Sequence, residues 1–94
     1  MRRAARMDAN EAEIKRAFEK LGASVEHITA RRAGCPDLLV GWRHENHLVE
    51  VKVPKTGRLS SSQEAWADGW NGSQPYVVKS VDEAINLMKM WSGK

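Results

Sequence analysis

The chain has one cysteine, no long apolar segment and only a small excess of charge of one sign. The single cysteine, Cys35, excludes an intrachain disulfide, and we therefore expect a reducing environment such as the cytoplasm. No apolar run approaches the roughly 18 residues that span a bilayer, so no transmembrane segment or membrane partner is predicted. The basic start of the chain, MRRAARMDAN, has no apolar stretch after it and does not predict a signal peptide.

What the composition does contain is typical of a folded domain, with 41% hydrophobic and 29% charged residues among 94. This length favours a single domain over residues 1–94, with residues 1–8 as a flexible basic N-terminus. A core of this size gives a net stability of about 5–10 kcal/mol, which leaves room for a homodimer. The net charge of +3 permits a polyanionic partner without demanding one.

Apolar residues at helical spacing predict three helices, within residues 8–24, 62–70 and 80–91. The stripe of the first helix comprises Ile14, Ala17, Phe18 and Leu21. The stripe of the last helix comprises Val81, Ala84, Ile85, Met88 and Trp91. Gly22 is expected to end the first helix, because glycine accepts the left-handed conformation that often follows a C-terminus.

Four segments of β-prone residues predict strands within residues 24–30, 37–42, 47–53 and 76–79. The polar residues RHEN join the second strand to the third. The resulting order is α-β-β-β-α-β-α, which predicts an α/β fold with a small mixed sheet flanked by helices.

The third predicted strand carries charged residues where a core strand should be apolar. Alternation places Val49, Val51 and Val53 on one face and both Glu50 and Lys52 on the other. A surface ion pair worth about 0–1 kcal/mol would explain the two charges in isolation.

The preceding strand offers a second explanation for these charges. Asp37 begins that strand, so a hairpin would bring Asp37 close to Glu50 and Lys52. Two carboxylates beside an amine form a site of hard oxygen ligands suited to Mg²⁺ or Mn²⁺.

These residues resemble the signature of the PD-(D/E)xK nuclease superfamily, with PD at 36–37 and Glu50-Val51-Lys52 following. The longer segments GCPDLLVG, LVEVKVP, GRLSSSQEAW and VVKSVDEAINLM resemble the virus-type replication–repair nuclease (VRR-NUC) domain. The resemblance runs from about residue 10 onward and is closest to the stand-alone phage and bacterial type. It implies that the domain has a restriction-endonuclease-like core. It also implies that the protein acts in the cytoplasm of a bacterial or phage-infected cell.

The resemblance also implies a role for each matched position. Asp37 and Glu50 would bind Mg²⁺ or Mn²⁺, together with the backbone carbonyl of Val51. Lys52 would position the attacking water and offset charge on the phosphate. Gln63 matches an LSxxQ element that contacts the site, although Ser60 and Gln63 also have the spacing of a helix cap.

A glutamate of the first helix is part of the family's site, and Glu11, Glu13 and Glu19 are the candidates. Glu11 is chosen because it lies nearest the apolar stripe and stands three residues before Ile14, with contact to the metal through a water. Glu13 is the fallback. Asp8 and Glu11 also have capping-box spacing, so Glu11 could instead serve as a helix cap.

Basic residues flank the predicted site in sequence and are candidates for phosphate contacts. They are Lys15, Arg31, Arg32, Lys55 and Arg58. Alternatively, these residues are only solvent-exposed side chains of a loop or of a helix face.

Several other residues are expected to have structural and not catalytic roles. The residues His27, His44, His47 and Cys35 lack the paired spacing of a zinc site, and Cys35 is expected to be a packing residue. Trp66 and Trp70 are expected in the core and not as platforms for bases. Leu87 and Met90 lie off the stripe of the last helix and could form a dimer surface.

The function implied by the resemblance is a divalent-metal-dependent, structure-selective endodeoxyribonuclease. It would hydrolyse phosphodiester bonds in branched DNA, with four-way junctions favoured and a homodimer cutting both strands. The alternatives are a nuclease that prefers flaps or other DNA, a non-catalytic DNA-binding module on the same fold, and an interaction protein with an incidental basic surface. An RNA substrate stays open.

Overall fold

The elements follow the predicted order in a computed structural model that describes residues 9–30, 32–54 and 57–93. Within these residues the chain forms helices α1 (Ala9–Lys20), α2 (Ser61–Gly69) and α3 (Val81–Ser92). The strands are β1 (Ser24–His27), β2 (Leu38–Trp42), β3 (Glu45–Val51) and β4 (Tyr76–Val78). The predicted flexible segment 1–8 lies outside the described residues.

The strands form one mixed sheet in the order β1-β2-β3-β4. The first three strands are antiparallel, whereas β4 runs parallel to β3, with α2 in the connection between them. The chain is therefore an α/β fold with a small mixed sheet and flanking helices, as the sequence predicts.

The β2–β3 hairpin turns over two residues and not over the four predicted from RHEN. Arg43 and His44 both have positive φ, 52° and 66°, and Trp42 pairs with Glu45. Two left-handed residues match the twist of a two-residue hairpin, although neither residue is a common choice there. The turn sets the register in which Leu38 faces Val49.

The core lies between one face of the sheet and helices α1 and α3. The fully buried side chains come from both layers: Ile14, Phe18, Leu38, Val40, Val49 and Val78. Phe18 of α1 stacks on Trp91 of α3 with ring centroids 6.0 Å apart. The predicted stripe of α3 is confirmed, since Ala84, Met88 and Trp91 are buried and Val81 and Ile85 are partly buried.

Leu21 does not belong to the buried stripe of α1, because it is 43% exposed. The helix ends at Lys20, and Gly22 then takes φ of 101°. The N–H groups of Gly22 and Ala23 donate to the carbonyls of Glu19 and Phe18. This is a Schellman ending, in which Gly22 in the left-handed conformation stops the helix.

The valine face predicted for the third strand is shorter than expected. Val49 is buried and Val51 is partly buried, but Val53 is 50% exposed. Strand β3 ends at Val51, and Lys52 still donates its N–H to the Val78 carbonyl. Pro54 follows and has no N–H with which to continue the ladder.

The expectation that both tryptophans of α2 lie in the core is wrong for one of them. Trp66 is buried, whereas Trp70, the C-cap residue of α2, is 43% exposed. The helix ends before Trp70, so helical spacing no longer determines which way its side chain faces.

The side chains proposed for a dimer surface lie beside β4. Met90 is 48% exposed, Leu87 is partly buried, and both line a groove with Val77. Among the described residues, no helix is long and apolar enough to cross a membrane.

Candidate active site

Asp37 stands directly before β2 and is held at both its backbone and its side chain. The N–H of Ile28 donates to the Asp37 carbonyl at 2.7 Å. The N–H of Val51 donates to Asp37 Oδ2 at 2.8 Å. Because Leu38 faces Val49, the register brings Asp37 level with Glu50.

Glu50 is a buried carboxyl group, with only 3% of the residue exposed. Its side chain shares a hydrogen bond with Asp37. Burial raises the pKa of Glu50 to about 8, with further upward contributions from the charge of Asp37, the hydrogen bond to Asp37 and the charge of Glu11. Glu50 is therefore protonated at neutral pH in the absence of a bound cation.

Lys52 lies beside this pair of carboxyl groups. Its Nζ is 3.7 Å from Glu50 Oε2, and its positive charge lowers the pKa of Glu50 against the other influences. The backbone of Lys52 is held on both sides, because its N–H donates to Val78 and its carbonyl accepts from the Asn10 amide at 3.1 Å. The structure thus brings together the three residues of the predicted signature.

Gln63 fulfils both of the roles between which the sequence left a choice. The side-chain oxygen Oε1 of Gln63 accepts a hydrogen bond from the Ser60 N–H at 2.8 Å. The backbone N–H of Gln63 donates to Ser60 Oγ at 3.2 Å, which completes a capping box. The other end of the same amide donates from Nε2 to Glu50 Oε2 at 2.6 Å. The start of α2 is therefore joined to the buried carboxyl group by one side chain.

Gly34 allows α2 to approach the loop that leads to Asp37. It has φ of 87°, and a Cβ atom at this position would overlap the backbone carbonyl of Ser62 in the first turn of α2. Glycine is the residue that tolerates both conditions. This contact holds the GCPD loop and Gln63 on the same side of the site.

Glu11 is buried in α1, and its charge acts on Glu50. Its Oε2 lies 3.0 Å from His27 Nε2. Glu13 is exposed, and Glu19 is exposed and paired with Lys15 at 2.7 Å. The structure thus places Glu11, and not the other two candidates, at the site; the capping alternative involves Asp8, which lies outside the described residues.

Two residues beside the site were not predicted to belong to it: Asn10, and His27, which was considered above only as a zinc ligand. His27 faces Leu38 across β1 and β2, one position from Asp37, and it reaches Glu11 of α1. Asn10 precedes Glu11 and binds the Lys52 carbonyl. The register of β1 would have indicated His27, but no local pattern indicates Asn10.

The predicted DNA-contacting residues have different placements. Arg32 and Arg58 are exposed, whereas Lys15 is partly buried and paired with Glu19 on α1. Arg31 and Lys55 lie outside the described residues. The Arg32 carbonyl accepts a hydrogen bond from the Cys35 N–H at 3.3 Å.

Cys35 is partly buried in the same loop. Burial raises the pKa of its thiol, the charges of Glu50 and Asp37 raise it further, and the charge of Arg32 lowers it. A raised pKa keeps the thiol neutral, in keeping with a packing residue and not a nucleophile.

The donor set fits a hard divalent cation. Glu50 is buried beside Asp37, and a cation would offset the negative charge of Asp37 that helps to raise the pKa of Glu50. Within the described part of the chain, no cluster of three or more His, Cys, Asp or Glu side chains is suited to a metal ion. Mg²⁺ does not need such a cluster, because one or two carboxylates plus substrate phosphate and water commonly suffice.

Comparisons with known proteins place this geometry in a family. The sequence profile of the VRR-NUC domain matches residues 3–82. A solved structure described as "VRR_NUC domain" is similar with a TM-score of 0.72 and 28% identity, covering 85% of this chain and 90% of that chain. No curated protein matches the chain significantly. Because the profile spans most of the chain and the fold agrees, the chain belongs to the VRR-NUC family, whose domains are of nuclease type.

Proposed function

We propose that this protein is a divalent-metal-dependent endodeoxyribonuclease of the PD-(D/E)xK type that cuts branched DNA. One observation carries the proposal: the buried carboxyl group of Glu50 lies beside Asp37 and Lys52, with Gln63 bound to it. A buried carboxyl group with a raised pKa, next to a second carboxyl group and a positioned amine, is typical of a functional site.

Each residue of the site would have a separate role in phosphodiester hydrolysis. Asp37 and Glu50 would hold Mg²⁺ or Mn²⁺, with the Val51 carbonyl as a further ligand and Glu11 acting through a water. The bound ion supplies Lewis-acid polarisation of the phosphate and a lower pKa for a bound water. Lys52 orients the attacking water and offsets the charge that develops on the phosphate.

Gln63 and Asp37 contribute by holding other groups in position. The 2.6 Å hydrogen bond from Gln63 holds Oε2 of Glu50 in place. The Val51 N–H fixes Oδ2 of Asp37 in the same way. Ligands that are held before substrate binds lose less entropy when the reactive complex forms.

Branched DNA is proposed as the substrate class, with four-way junctions favoured and a homodimer presenting two sites. Exposed Arg32 and Arg58 are suited to phosphate contacts near the carboxyl pair. The exposed side chains of Val77 and Met90 offer an apolar surface for a second copy. Light scattering measures the mass in solution and tests the dimer directly.

The test of the activity is cleavage of a labelled DNA panel containing a four-way junction, a flap, a linear duplex and a single strand. We expect cleavage with Mg²⁺ or Mn²⁺, none with chelator, and 5′-phosphate and 3′-hydroxyl ends. Asp37→Ala and Lys52→Ala are each expected to lower the rate by at least ~10²-fold, the typical loss on removing one electrostatic contributor.

Glu26→Gln is the matched control, because Glu26 is an exposed carboxylate one position from His27 in β1. Its cleavage rate should equal that of the wild type. Cleavage that survives chelation, or full activity in the Asp37→Ala and Lys52→Ala variants, would contradict the proposal. DNA binding without turnover under every metal condition would instead indicate a non-catalytic binding module.

A further inference from the structure

An aromatic pair with one exposed member stands at the C-terminal end of α2. Trp70 stacks on Trp66 with ring centroids 4.5 Å apart and an interplanar angle of 18°. Trp66 is 8% exposed, but Trp70 is 43% exposed. A large apolar ring left partly in water is energetically unfavourable unless a partner covers it.

The backbone around Trp70 is fixed before any partner arrives. The Trp70 N–H donates to the Ala67 carbonyl at 3.1 Å. The Gln74 amide donates to the carbonyls of Ala67 and Trp70, at 3.0 and 3.3 Å, which closes the loop after the helix. A ring held by a stacked neighbour and a closed loop loses little entropy when another flat group packs on it.

A cationic side chain shares the depression next to this ring. Arg32, Trp70 and Asn71 line a shallow hollow of about 510 Å³, together with Gly69 and Gly72. Arg32 is exposed, and it belongs to the loop that carries Asp37. An aromatic ring beside a guanidinium matches a nucleotide, which combines a flat base with a phosphate.

The hollow adjoins the proposed catalytic centre. Glu50, Gln63, Ala67 and Gln74 line one small cleft of about 90 Å³, and Gln74 donates to the Trp70 carbonyl at 3.3 Å. Gly34 packs the GCPD loop against the first turn of α2. A nucleotide held at Trp70 would therefore belong to the strand that reaches the Asp37–Glu50 pair.

We propose that Trp70 stacks on an unpaired DNA base while Arg32 binds the adjoining phosphate, so that the protein selects DNA with unpaired nucleotides next to the cleavage site. The inference rests on the proposed nuclease function, which it deepens by naming a specificity-determining residue. A base in a continuous duplex is already stacked on both faces and has none to offer to Trp70. Junctions, flaps and single strands have unpaired or easily unstacked bases.

Equilibrium binding in EDTA tests the inference without interference from cleavage. Fluorescence anisotropy is measured with a labelled single-stranded oligonucleotide and with a blunt duplex of the same sequence. Trp70→Ala should weaken single-strand binding by about 5-fold to 100-fold, the typical effect of removing one stacking platform. Binding to the blunt duplex should change by less than about 2-fold, because the duplex presents no free base face.

Two further variants separate stacking from a change of fold. Trp70→Phe keeps an aromatic face and should restore most of the single-strand affinity. Leu21→Ala removes another exposed apolar side chain, directly after α1, and should leave both affinities unchanged. Circular dichroism melting checks that each variant is folded, and quenching of a single 2-aminopurine base reports stacking directly.

The outcomes distinguish this inference from the proposed function. Unchanged single-strand affinity in Trp70→Ala, equal losses for single strand and duplex, or no single-strand binding by the wild type would each overturn it. If Trp70→Ala loses single-strand affinity but the wild type cleaves no DNA with Mg²⁺ or Mn²⁺, base stacking stands and the nuclease proposal falls. If the wild type cleaves DNA and Trp70→Ala binds the single strand normally, the nuclease proposal stands and base stacking falls.

Discussion

At the scale of single residues, the site is dominated by Glu50, a buried carboxyl group that lies beside Asp37. Asp37 and Glu50 share a hydrogen bond, and Glu50 is buried, so the proton stays on Glu50 up to a pH of about 8. Lys52 offsets only part of this effect. A cation that binds Asp37 and Glu50 would therefore displace the proton of Glu50.

The raised pKa of Glu50 predicts that the metal-free protein loses stability as the pH rises. The folded state holds a proton that the unfolded state releases near pH 4.5, so the stabilisation is complete below that pH and is lost as the pH approaches about 8. Its size is on the order of a few kcal/mol. Thermal melting in EDTA from pH 5 to 9 measures the slope.

Glu50→Gln keeps the shape and removes the titration, so its stability should vary less across this range. It should melt above the wild type at pH 9. Glu26→Gln, which removes an exposed carboxylate, should retain the wild-type slope. A wild-type protein whose stability rises steadily from pH 5 to 8 would contradict the raised pKa.

At the scale of elements, the position of α2 decides whether the site is assembled. Its N-terminal capping residue Gln63 also binds Glu50, and its first turn packs on Gly34. The cap and the catalytic contact therefore depend on one helix start. A change in the GCPD loop is expected to disturb the site through α2.

Gly34→Ala should destabilise the protein by more than about 1 kcal/mol, because a Cβ atom would strike the Ser62 backbone and φ is positive. Gly69→Ala is the matched control at the other end of α2, where a Cβ atom meets nothing within 4 Å. It should be neutral or slightly stabilising. Chemical denaturation of both variants gives the comparison, and equal stabilities would contradict the packing role of Gly34.

At the scale of the whole molecule, the sheet joins parts of the chain that are distant in sequence. Asp37 precedes β2, Lys52 follows β3, and Glu11 comes from α1, so the proposed metal site forms only in the folded chain. A ligand that binds only the folded state raises the melting temperature.

Mg²⁺ or Mn²⁺ should therefore stabilise the protein by about 1.4 kcal/mol at a concentration ten times the dissociation constant. The effect should be larger at pH 8 than at pH 6, because the cation displaces the proton of Glu50. Differential scanning fluorimetry measures the shift. It should vanish in Asp37→Ala and persist in Glu26→Gln; the same shift in Asp37→Ala would place the cation elsewhere.

Much of the fold follows from patterns that are local in sequence. Helical spacing predicts α1 and α3, and alternation with turn residues predicts the strands, because both depend on neighbours within a few positions. The meeting of Asp37, Glu50 and Lys52 also follows, since a short hairpin leaves little freedom of register. The ends of elements are less predictable, as Leu21, Val53 and Trp70 show.

The sequence by itself therefore determined the order of elements, the hairpin and the three residues of the signature. Tertiary structure alone decided that Gln63 both caps α2 and binds Glu50, and that His27 reaches Glu11. It also left Trp70 in solvent beside Arg32. The physical reason is that burial, charge proximity and the pKa of Glu50 depend on distances between elements, which no local pattern encodes.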